Sequence, residues 1–79
     1  MDFIPIKVEC YSGYKVDESP IRFYWDDIQF EISEILDRWY QGGTNPEFPS
    51  ANYYKVQTAS SGQFILKHEI KRDTWYLVS

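Results

Sequence analysis

Cys10 and His68 are the only cysteine and the only histidine in this 79-residue chain, and a thiol beside an imidazole is the minimum for nucleophilic thiolate chemistry. Such a pair also needs a third group to orient the ring, and nothing in the spacing of Cys10 and His68 supplies one. The competing reading, an inert cysteine in a hydrophobic core, fits better. One His and one Cys cannot make a zinc set, and the acidic pairs Asp17-Glu18 and Asp26-Asp27 lack the spacing of a calcium loop. Adjacent carboxylates point to different sides of the chain, and a tight turn accounts for Asp26-Asp27 without acid–base catalysis. Gly42-Gly43 lacks the Lys-Ser/Thr sequel of a phosphate loop. The residue inventory therefore argues against an enzyme and calls for no cofactor and no metal.

Surface binding is the class that remains. Three aromatic-rich runs, Asn52 to Thr58, Gln63 to His68 and Thr74 to Val78, are separated by Ser60-Ser61-Gly62 and Lys71-Arg72-Asp73. Strand formers joined by connections too short for a crossover helix predict an antiparallel meander. Alternation along it gives two faces. Tyr54, Val56, Phe64, Leu66, Trp75 and Leu77 form the more uniformly apolar one and are the expected core, with His68 on the same side near a strand end. Tyr53, Lys55, Gln57, Ile65, Lys67 and Tyr76 face outward. Tyr53, Lys55, Lys67 and Tyr76 are the candidate binding residues. Tyrosines are favoured at protein interfaces, which supports a protein contact or self-association. Rings interleaved with cations also suit single-stranded nucleic acid, the alternative reading. Against that alternative stand a sequence pI of about 4.7 and the lack of an arginine cluster.

Upstream, Ile6, Val8 and Cys10 alternate with Lys7, Glu9 and Tyr11, which predicts a half-buried strand over Ile4–Tyr11. Residues 12–20 read as a surface loop closed by Pro20. Ile21–Trp25 and Ile28–Ile32 flank Asp26-Asp27 as a hairpin. Residues 30–40 fit two templates. Ile28, Phe30 and Ile32 alternate as a strand, with a bulge near Ser33-Glu34 to reset the parity. Ile32, Ile35, Leu36, Trp39 and Tyr40 also match an amphipathic helix. The strand is preferred because no capping residue stands just ahead of Phe30 except Asp27, and Ile32 and Ile35 are β-branched. Residues 41–51, with two glycines and two prolines, read as a long connecting loop that Phe48 could anchor.

The expectation is one all-β domain over residues 1–79, an antiparallel sheet of five or six strands curled into a small barrel, with α+β and a helix near 30–40 as the alternative. So short a chain must build its core from large side chains, and aromatics are 19% of it. A single cysteine permits no internal disulfide, and the first residues carry no export signal, so a cytoplasmic setting is expected. No apolar run is long enough to span a bilayer, and the mean hydropathy is −0.51, so no membrane association is expected. The net charge of −4 is uneven: residues 1–47 carry 4 basic and 10 acidic side chains (−6), residues 48–79 carry 4 and 2 (+2). The meander is the basic half.

The segments Val8 to Tyr14, Leu36 to Tyr40, Tyr53 to Val56, Phe64 to His68 and Trp75 to Leu77 resemble a small family of uncharacterised bacterial cytoplasmic proteins across nearly the whole chain. That resemblance implies a lone domain and carries over no catalytic residue. The loop from Gly42 to Ser50 looks longer than is usual in the family. Phe23, the Asp26-Asp27 turn, Trp39, Tyr53 to Val56, Phe64, Leu66 and Trp75 to Leu77 are also similar to a C-terminal β module of some Y-family-polymerase-like translesion proteins. This keeps a DNA-related accessory role among the expectations.

Overall fold

The structure is a computed structural model, and it describes residues 2–11, 19–42, 50–60 and 62–78. Residues 12–18 of the loop expected at 12–20, and residues 43–49 of the one expected at 41–51, Phe48 among them, lie outside the described residues. Six strands follow one another: β1 Phe3–Tyr11, β2 Ser19–Trp25, β3 Ile28–Gln41, β4 Ala51–Thr58, β5 Gln63–Glu69 and β6 Thr74–Val78. Each pairs antiparallel with the next, and β6 returns to β1, closing the barrel. The chain is all-β, with no helix among the described residues; the helical alternative at 30–40 gives way to the long strand β3. Ser19 and Pro20, expected in the loop, instead open β2, with Pro20 opposite Cys10, and Gln41 and Ala51, expected in the second loop, are the last residue of β3 and the first of β4.

The predicted apolar face is the core. Val56 and Leu66 are fully buried, with Phe23 from β2, and Tyr54, Trp75 and Leu77 are nearly so. Ile4, Ile6, Val8, Cys10, Phe30, Ile32, Ile35 and Phe64 pack around them. Phe23 stacks on Phe30 at 4.9 Å and meets Phe64 edge-on at 5.4 Å, so three rings pack together in the core.

Two of the tight turns use left-handed backbone. Asp26 and Asp27 have φ of 54° and 61°, the mirror-type turn whose twist matches a hairpin, and Asp73 has φ of 48°. Aspartate tolerates this geometry better than most residues. At the β4–β5 turn the buried Thr58 takes over, its N–H and Oγ1 both donating to Gly62 O (2.8 and 3.1 Å) while Gly62 N–H donates back to Oγ1 at 3.1 Å.

β3 shapes the molecule. Its first residues, Ile28 to Glu31, pair with β2, and Ile32 to Gln41 pair with β4. Ser33 and Leu36 have no partner in the β4 register, so the strand carries two bulges. The expected bulge near Ser33-Glu34 is present; the one at Leu36 is additional. Together they turn Ile32 and Ile35 inward and place Asp37 and Trp39 outward. On the outside of β1–β3, Arg22 reaches Glu9 at 3.0 Å and Glu31 at 3.2 Å, an exposed ladder of small energetic weight.

Candidate functional site

The register sets the four sequence-derived residues into two adjoining rows across the outward face. In the first, Trp39 on β3 lies opposite Tyr53 on β4, then Lys67 on β5, Tyr76 on β6 and Pro5 on β1. In the second, Asp37 lies opposite Lys55, then Ile65, Val78 and Phe3. Strand alternation makes these side chains neighbours, since opposed Cβ atoms stand about 4.5–5.5 Å apart.

Within the rows the rings are ordered. Trp39 and Tyr53 stack at 5.4 Å and 1° between planes, and the Tyr53 hydroxyl donates to Gln41 Oε1 at 2.8 Å. Burial, and behind it the negative charge of Glu69, holds the Tyr53 hydroxyl above the ordinary tyrosine range. Lys67 Nζ sits 4.3 Å from the centre of the Phe3 ring and 6.0 Å from that of Tyr76, while Phe3 meets Tyr76 edge-on. A hollow of about 400 Å³ opens between the rows, lined by Trp39, Tyr40, Gln41, Tyr53, Ile65 and Val78. Trp39 is 42% exposed, Tyr40 61% and Phe3 44%, a large apolar area in water for so small a domain.

The tyrosines and lysines named from the sequence share this face, and the sequence reading did not place Trp39, Tyr40 or Phe3 beside them. Trp39 was ambiguous between helix and strand, and only two bulges in β3 put it on the outward row. Phe3 joins because the barrel closes, and no local pattern reports that pairing.

The groups considered for chemistry lie elsewhere. The His68 ring stacks on Trp75 at 4.3 Å, and its Nε2 lies 2.8 Å from Asp73 Oδ1, which clasps the β5–β6 turn. Cys10 is half-buried against the core and shares a hollow of about 480 Å³ with Asp73 and Trp75. No group of three or more His, Cys, Asp or Glu side chains placed to hold a metal ion occurs among the described residues. No helix among them is long and apolar enough to cross a membrane. Comparison with models of known protein families, with curated proteins and with solved structures finds no match.

Proposed function

We propose that this protein is a non-catalytic interaction module whose outward β3–β6 face takes a protein partner. One observation carries the reading: the registered row of Trp39, Tyr53, Lys67 and Tyr76, in which outward-facing rings are held by stacking and by a lysine. Rigid aromatic anchors around a pocket are what concentrates binding energy at protein interfaces. The hollow beside them is apolar, and Lys55 and Lys67 flank the Ile65–Val78 pair at its floor. A segment offering an apolar side chain next to a carboxylate fits that arrangement.

The same face is less suited to nucleic acid. Lys55 lies opposite Asp37, Lys67 is engaged with the Phe3 ring, and the net charge is −4. A phosphate-tracking groove needs cations in excess. The experiment is capture of partners from the host by tagged protein, comparing wild type with Tyr76→Ala and Lys67→Glu, and with Arg22→Ala on the opposite outer surface as control. A partner retained by wild type and Arg22→Ala but lost by both face variants supports the reading; equal capture by all four overturns it. Oligonucleotide titration followed by tryptophan emission is the companion measurement. A response at low salt that fades as salt is raised would transfer the face to nucleic acid.

A further inference from the structure

The outer row ends at β3, a strand whose two edges are unequally paired among the described residues. β2 pairs with Ile28 to Glu31 only, whereas β4 covers Ile32 to Gln41 along the other edge. Among the described residues no strand pairs with the second edge of Ile32 to Gln41. All six residues from Leu36 to Gln41 are exposed. The N–H of Arg38 shows which way this edge faces: it donates to the carboxylate of its own neighbour, Asp37 Oδ1, at 2.8 Å, and so is turned away from the β4 ladder. Backbone groups two residues apart on a strand point the same way, so Tyr40 also presents its N–H and C=O to the open side.

An unpaired edge of this kind is a template for another strand. The first part is blunted by the bulges at Ser33 and Leu36; the stretch from Asp37 to Gln41 is regular. We propose that this stretch pairs antiparallel with the same stretch of a second copy of the chain, about a two-fold axis through Trp39.

The choice of partner and of register comes from the side chains. In an antiparallel pair, opposed residues share a face, so this strand can meet its own copy only in registers that keep inward residues opposite inward ones. With the axis at Trp39, Arg38 faces Tyr40 of the second copy and Tyr40 faces its Arg38. These are the residues whose backbone groups point to the edge, so the two pairs exchange four hydrogen bonds. Each arginine then stands opposite an uncharged tyrosine; within its own chain Arg38 lies over the Tyr54 ring at 5.4 Å. Asp37 faces Gln41, and no like charges oppose. Moving the axis to Arg38 sets two arginines against each other. Moving it to Tyr40 leaves Arg38 opposite Gly42 and takes Trp39 off the axis.

In the Trp39-centred register the two Trp39 side chains are direct neighbours on the outer face. The row of Tyr76, Lys67, Tyr53 and Trp39 then continues across the axis into the same row of the second chain. The Asp37 carboxylate competes for the Arg38 N–H and must swing away, so it acts as a stopper on pairing. Five residues a side bury far less than the roughly 1,200–2,000 Å² of a stable complex, and the dimer is accordingly weak and concentration-dependent. This inference concerns the edge and stands apart from the partner assigned to the face.

Sedimentation equilibrium over a wide concentration range tests it first: a reversible dimer is expected, strengthened in Asp37→Ala and lost in Tyr40→Pro, which removes an edge N–H that β4 does not use. In a Cys10→Ser background, Trp39→Cys places two thiols across the axis within disulfide reach, and mild oxidation should join the chains. Lys55→Cys, one strand further in, should not cross-link. Tyr76→Ala should leave the dimer intact, so the edge and the face fail separately. A protein that stays monomeric at the highest concentrations, or that cross-links equally through residues 39 and 55, overturns the proposal. If Tyr40→Pro does not fold, the cross-linking pair decides alone.

Discussion

At the scale of single residues, stability and surface chemistry divide by face. Leu66 is fully buried at the middle of β5, so Leu66→Ala removes apolar contact and leaves a cavity. It should cost about 2–5 kcal/mol, read as a lower urea midpoint with an unchanged slope. That is a large part of what a domain of this size has. Tyr53 gives a pH-dependent counterpart. Its folded-state pKa is raised by burial and then by Glu69, so the folded protein holds the phenolic proton more tightly than the unfolded chain does. This contribution is full below the ordinary tyrosine value of about 10 and is lost as pH rises through the raised folded value. Urea midpoints measured at increasing alkaline pH should fall more steeply for wild type than for Tyr53→Phe; parallel curves would contradict the assignment. The inward and outward identities of Tyr54 and Tyr53 were legible in the sequence, because a strand with one buried face shows its parity directly. The stacking partner of Tyr53 was not, since Trp39 lies beyond two unpaired residues.

At the scale of elements, the hairpin turns were the clearest sequence signals. Asp26-Asp27 between two alternating runs adopts positive φ at both residues, a conformation glycine takes without strain. Asp27→Gly should therefore raise thermal stability by about 1 kcal/mol at the melting temperature, while leaving the hairpin register intact. A drop in melting temperature would mean that the aspartate side chain holds the turn by bonds that outweigh its backbone strain. β3 shows the opposite limit of legibility. Of the residues that match a helical template, Ile32 and Ile35 both turn inward because of the first bulge, whereas Leu36 lies unpaired at the second and Trp39 faces outward. What decided for the strand was the regular alternation of Ile28, Phe30 and Ile32 and the weak helix start. The same bulges bend β3 from one half of the barrel to the other, and such bends are set by tertiary closure rather than by local preference.

At the scale of the molecule, every neighbouring pair of strands is also consecutive in sequence, except the pair that closes the ring. Phe3 lies opposite Val78 and Ile6 opposite Trp75, the contacts of greatest sequence separation in the fold. Such contacts carry the largest loop-closure cost and are expected to form after the hairpins. Ile6→Val, a loss of about 0.5–1.5 kcal/mol at that seam, should act chiefly by speeding unfolding, with the refolding limb of the chevron nearly unmoved. A matching slowdown of refolding would place the seam in the folding nucleus instead. An antiparallel sheet of five or six strands curled into a barrel could be read from the runs and turns, but the pair of strands that closes it could not, because nothing local to either strand names the other. That closure also makes the backbone topologically a circle cut between β6 and β1, with the cut edges one strand spacing apart. Joining Val78 to Phe3 by a short linker and reopening the ring at Asp26-Asp27 would give a circular permutant with the same barrel, and with β3 as its first strand.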